Sequence, residues 1–195
     1  MSKERVETFS DAVFAIILTL LVLELHVPEV ADHSNFDEYV TAMIPLIPKF
    51  ISFILSFIMV AIYWVNHHYF FRYIQNVSLG LVWVNNILLL TICFIPFPTA
   101  LLGNHPTDQF PVMIYGLYSL ISSLAFSLMR VYSIRNKLLD VDDESIKILG
   151  PKHSIPGITI YALSILFSFV NVYVSLACFF LVPVLYFVPG IVRIK

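Results

Sequence analysis

The chain has 195 residues, of which 59% are hydrophobic and 12% charged, with a mean hydropathy of +0.88 and a formal net charge of −2. That much apolar surface exceeds what a water-soluble core of this size can hide, so the chain reads as an integral membrane protein. The balance of charge leaves no basic face for phosphate backbones, which excludes nucleic acid as a partner.

The first predicted span runs from Arg5 to Val27, and from Ala12 to Leu23 every residue except Thr19 is apolar. It reaches membrane-spanning length only if the segment carrying Arg5, Glu7, Ser10 and Asp11 is also helical. Those groups then lie inside or just beneath the bilayer, where an ionisable side chain is costly unless it is paired or faces water. A cleaved signal peptide is not expected: Glu4, Glu7 and Asp11 interrupt the basic region, and Leu23-Glu24-Leu25-His26 follows the apolar run.

Further spans are expected from about Met43 to Asn66, Leu79 to Thr99 and Phe110 to Met129. The last apolar block, Ile155 to Val192, is too long for one helix and has a polar break at Asn171, so it divides into two. The expectation is an all-α polytopic protein with six transmembrane helices in one domain, 1–195. Pro48, Pro96, Pro98, Pro183 and Pro189 are placed at or near span ends, and Pro28, Pro106, Pro111 and Pro151 in loops or span starts.

Six spans put both ends on one side, which collects Lys3, Arg5, Arg72, Arg130, Arg135, Lys137, Lys147, Lys152, Arg193 and Lys195. By the positive-inside rule both termini are cytoplasmic, in a multi-pass cell-membrane protein. The other side carries Glu29, Asp32, Asp37, Glu38 and Asp108 against Lys49. Such loops are ordinary solvated surface, or concentrate cations at a pore mouth.

The polar residues within the spans share one depth. Ser10 and Asp11 lie about two turns up from the inner end of span one, and Asn85 and Asn86 about two turns up in span three. Trp64, Asn66, His67 and His68 are expected to close the inner end of span two. Trp64 shares a helix face with both histidines, so span two could offer donors to Asp11, or the aromatic groups could simply anchor at the interface. Cys93 and Cys178 read as small buried hydrophobes without zinc-ligand spacing. The remaining histidines, His26, His33, His105 and His153, lie near loops on mixed sides, which argues against a haem or metal enzyme. No serine, histidine and acid set shares one depth, so hydrolysis is not expected either.

Arg5-x-x-x-Phe9-Ser10-Asp11 at the start of span one, the isoleucine, threonine and leucine stripe after it, Trp64 with His67-His68, and Asn85-Asn86 together resemble the bacterial members of the lysosomal potassium channel family, transmembrane protein 175. The resemblance implies a homotetramer whose first helices line a pore for potassium, with no cofactor and no metal beyond the permeant ion. It implies a hydrophobic constriction at Ile16, a polar layer linked to selectivity at Thr19 and further apolar rings at Leu20 and Leu23. It also implies a network in which Arg5, Ser10 and Asp11 hold span one against Trp64, one of His67 and His68, and one of Asn85 and Asn86. The Thr-Val-Gly-Tyr-Gly filter of ordinary potassium channels is missing from the sequence. With Ile16 at zero and about 100° per residue, Leu20 falls at about 40°, Leu23 at about −20°, Ala12 at about −40° and Thr19 at about −60°, with Asp11 at about −140°. The competing class is a proton- or cation-coupled secondary transporter using Asp11, Glu24 and histidines, which calls for broken helices at matching positions of two halves; none is expected here.

Overall fold

A computed structural model describes residues 2–29, 36–140, 150 and 154–187. Arg193, Lys195, Lys147, Lys152, Pro151, Pro189, Asp32, His33 and His153 lie outside the described residues. The described fold is all helical apart from one isolated bridge between Ile74 and Leu139.

Helix α1, Lys3–Leu20, continues as a 3₁₀ turn over Leu21–Glu24, so its helical rise ends before the expected Val27. Pro28 disfavours helical backbone at the residue before it, which closes the span early. α2, Phe36–Met43, leads through a 3₁₀ turn at Ile44–Leu46 into α3, Ile47–Arg72. α3 therefore runs past the expected end at Asn66, and Trp64, His67 and His68 sit within it rather than closing it. The apolar packing of buried Phe70 and Phe71 carries the helix onward.

Span three is broken. α4, Leu79–Cys93, begins at a cap in which Ser78 Oγ accepts from the Leu81 amide, and α5, Pro96–Asn104, restarts beyond Phe94 and Ile95. Pro96 and Pro98 thus fall in mid-span rather than at its end, because a proline at the first positions of a helix leaves no intrahelical donor missing. α6, Gln109–Arg135, outruns its expected end at Met129 by more than a turn. α7, Ile155–Ser168, and α8, Val172–Phe187, divide at the expected break, where Asn171 Oδ1 accepts from the Tyr173 amide at 2.9 Å. Pro183 lies inside α8, not at its end.

Four of these segments are long and apolar enough to cross a membrane: Lys3–Glu24, Phe36–Arg72, Leu79–Asn104 and Gln109–Arg135. α7 and α8 are apolar but shorter, at 14 and 16 residues. α6 packs along α4 and α7, α7 along α8, α3 along α5, and α1 against α3 and α4. Small residues permit the close approach of α6 and α7: a Cβ on Gly116 would stand 2.9 Å from Ser164 Oγ and 3.1 Å from Ile165 Cγ1.

The interior is mixed. Phe14, Leu21, Val60, Phe70, Phe71, Leu81, Leu88, Ile92 and Met129 are buried together. Among them the Thr99 and Ser56 hydroxyls pair at 2.7 Å, Ser56 and Tyr115 hydroxyls at 3.0 Å, and Tyr63 and Ser123 at 2.8 Å. Hydroxyls in such a core need partners, and these supply one another. Cys93 is exposed and Cys178 half-buried, contrary to the expected burial, because both lie on outer apolar surfaces of their helices.

One end of the bundle is basic. Lys3 Nζ donates to the Arg72 carbonyl at 3.2 Å, and the Asp140 amide to the Tyr73 carbonyl at 2.9 Å, which brings the start of α1, the end of α3 and the end of α6 together.

Candidate functional site

Helix α1 has two faces with different fates. Val6, Ser10, Phe14, Ile17 and Leu21 recur at intervals of three and four, are buried, and face α3 and α4. Phe9, Ala12, Ile16, Thr19, Leu20 and Leu23 occupy the other face and are exposed in the single chain.

The buried face is fixed by a hydrogen-bonded chain. Ser10 Oγ donates to the Val6 carbonyl at 2.8 Å and accepts from Asn85 Nδ2 at 3.0 Å. This amide orientation leaves Asn85 Oδ1 as an acceptor, so His67 presents its proton on Nε2 at 2.8 Å. Ser10, Asn85 and His67 are all buried. The His67 ring stacks on Phe71 with centroids 4.3 Å apart and meets Phe14 at 5.6 Å, so the imidazole is packed as well as bonded. Beside this chain, Trp64 Nε1 donates to Asp11 Oδ1 at 2.9 Å across α1 and α3.

The two pairs of adjacent candidates therefore divide: Asn85 and His67 are in the network, and Asn86 and His68 are not. His68 is exposed beside Trp64, and Asn86 is half-buried. Arg5 and Phe9 are exposed as well, and Arg5 forms no ion pair among the described residues, so neither joins the contact between α1 and the neighbouring helices of its own chain. The cause is angular. Each of the four stands next in sequence to a buried residue, and one residue along a helix is a turn of about 100°. Phe14 and Phe71 complete the packing around His67 and are absent from the sequence-level reading; Phe14 could have been found from its position four residues after Ser10 on the same face.

The open face is mostly apolar. Ile16, Leu20 and Leu23 are 57%, 44% and 66% exposed. Thr19 spends its hydroxyl proton on the Ile16 carbonyl at 2.7 Å, which leaves its oxygen able to accept or to coordinate. The 3₁₀ winding from Leu21 shifts Leu23 away from the angle a uniform α-helix gives it, because residues three apart eclipse in that geometry. At the far end of α1, Glu24, Lys49, Ser52, Thr99, Gly103 and Asn104 line a small pocket. Among the described residues no group of three or more histidine, cysteine or acidic side chains is placed to hold a metal ion.

Residues 5–96 match the family described as Endosomal/lysosomal potassium channel TMEM175. A potassium channel of Chryseobacterium sp. (strain P1-3) is 33% identical over 193 residues, covering 97% of this chain and 94% of that protein. The chain belongs to the TMEM175 family. A potassium channel of Chamaesiphon minutus is 32% identical over 187 residues, covering 91% of this chain and 90% of that one. The crystal structure of a lysosomal potassium-selective channel TMEM175 homolog from Chamaesiphon minutus superposes with a TM-score of 0.78 at 28% identity, covering 93% of this chain and 94% of that one. This is a family of membrane channels rather than enzymes.

Proposed function

We propose that this TMEM175-family chain is one subunit of a homotetrameric, potassium-selective channel in the cell membrane, with both termini cytoplasmic and residues 1–195 acting as a single six-helix unit. The observation that carries this reading is the division of α1: Ser10, Phe14, Ile17 and Leu21 are locked into the subunit, while Ile16, Thr19, Leu20 and Leu23 are left on a face that the chain itself does not cover. Four copies of that face around an axis make an apolar constriction at Ile16, a ring of Thr19 oxygens, and stacked leucine rings at Leu20 and Leu23.

An apolar constriction roughly the width of a dehydrated ion opposes passage by dewetting, and hydroxyl oxygens below or above it replace part of a potassium ion's hydration shell. Asp11, Trp64, Ser10, Asn85 and His67 hold the helix at its angle and do not touch the ion. Potassium is the permeant species and no cofactor is required.

Purified protein in a planar bilayer with a potassium gradient tests the reading. Unitary currents reversing near the potassium equilibrium potential are expected. Saturable, electrically silent flux would assign the chain to the coupled transporters instead.

A further inference from the structure

Arg130 is a charged side chain buried among the described residues: it is 8% exposed, and its Nε has neither solvent nor a hydrogen-bond partner. Among the described residues no carboxylate lies within ion-pair distance of it. A buried guanidinium without a counter-charge is costly and marks a functional site in a membrane protein. One face of the group is occupied, with Cζ 4.6 Å from the Phe126 ring centroid. Phe126 itself packs against Tyr63 and Phe70, and Nε is the in-plane donor left without a partner among the described residues.

A second donor lies on a helix packed against α6. The Tyr186 hydroxyl, near the end of α8, is also buried without a hydrogen-bond partner among the described residues, and α8 packs against α6. Two unsatisfied donors thus belong to the packed pair α6 and α8. The depth is informative. α6 has 27 residues, so at about 1.5 Å per residue it exceeds the roughly 30 Å hydrocarbon layer. Arg130 lies between one and two turns before its end at Arg135, on the basic end of the bundle, where Arg72, Arg135 and Lys137 are exposed. That is the level at which lipid phosphates meet the acyl chains, and Leu128, Val184 and Phe187 expose apolar surface on the same helices.

We propose that Arg130 and Tyr186 form an oxyanion site for the phosphate of an anionic phospholipid in the leaflet facing the basic end. A guanidinium edge matches two phosphate oxygens, and a phenol hydroxyl supplies a further donor. The surrounding exposed cations draw anionic headgroups to the site without forming it.

The test uses the full-length protein, delipidated in a neutral detergent, and follows its melting temperature on adding phosphatidylglycerol, phosphatidylcholine or millimolar inorganic phosphate. Phosphatidylglycerol is expected to raise the melting temperature by about 5 °C, and phosphatidylcholine by much less. Arg130→Gln should abolish that rise and Tyr186→Phe should reduce it, while Arg135→Gln and Lys137→Gln should keep it. If inorganic phosphate reproduces the rise with the same dependence on Arg130, the oxyanion site stands and its source is the free anion. Should Arg130→Gln fail to fold, Tyr186→Phe and Arg130→Lys carry the comparison. The proposal is overturned if Arg130→Gln or, in its absence, Tyr186→Phe retains the full rise, or if both lipids act equally. It is also overturned if neutralising Asp142, Asp143 and Glu144 together destabilises the lipid-free protein as Arg130→Gln does, since the counter-charge would then be the chain's own.

Discussion

The indole of Trp64 donates to the Asp11 carboxylate at 2.9 Å, joining α3 to the flank of α1 that faces away from Ile16. The bond fixes the rotation of α1 about its own axis, and with it the direction in which Ile16, Thr19, Leu20 and Leu23 point. A hydrogen bond to a charged acceptor of this kind contributes about 1.5–3 kcal/mol when shielded, and less where one partner is partly exposed, as Trp64 is.

Asp11→Ala should therefore lower the recovery of assembled protein on size exclusion while leaving ion preference unchanged in what does assemble. Asp11→Asn keeps an acceptor for the indole and should recover most of the yield. A well-assembled Asp11→Ala channel with reversed preference between potassium and sodium would contradict the positioning role.

Asn85 joins Ser10 to His67 in the interior, so removing its amide takes the Nε2 partner from buried His67 and leaves Ser10 only its bond to the Val6 carbonyl. Asn85→Ala should cost about 1–3 kcal/mol by thermal denaturation in detergent. Because His67→Ala breaks the same contact, the double variant should cost less than the two single losses combined. Additive losses would mean that the two residues stabilise the bundle independently.

The division of α1 into two faces was legible from periodicity, since Ile16, Leu20 and Ala12 stand on one side of a helical wheel and Asp11 far from them. The choice between His67 and His68, or between Asn85 and Asn86, was not. Adjacent residues differ by about 100° in direction, and only the position of the neighbouring helix says which of them faces it. The number of apolar segments could be counted from hydropathy, but their ends could not: α3 continues to Arg72 because Phe70 and Phe71 are buried by other helices, which is tertiary information. The break before Pro96 went unexpected for a related reason: Pro96 and Pro98 read as the end of the span. Proline marks a helix start as readily as an end, and the run from Leu79 to Asn104 is apolar on both sides of it. The 3₁₀ turn at Leu21–Glu24 carries no marker in the sequence beyond Pro28, four residues after its end.

Topology offers a check independent of conduction. A reporter active only in the cytoplasm should be active when fused after Lys195 or inserted between Asp142 and Ser145, and silent near Asn35. This follows from the positive-inside rule applied to the end that holds Lys3 and Arg72. Activity at Asn35 would reverse the orientation, place the Ser10, Asn85 and His67 chain on the outer side, and put the acidic loops at the cytoplasmic mouth.

The most direct measurement is the single-channel current of an Ile16→Asn variant beside the unaltered protein, both purified as the same oligomer and recorded in one planar bilayer system. Ile16 is 57% exposed in the subunit and lies opposite the clamped face, so an amide there should hydrate the constriction and raise the open probability or conductance for potassium several-fold. On a lipid-facing or packing surface the same substitution would lower stability and leave permeation alone. Increased current in Ile16→Asn, with Leu23→Ser acting in the same direction, is the result the account predicts. Unchanged conductance and open probability in both correctly assembled variants would contradict it and place the pore on another helix.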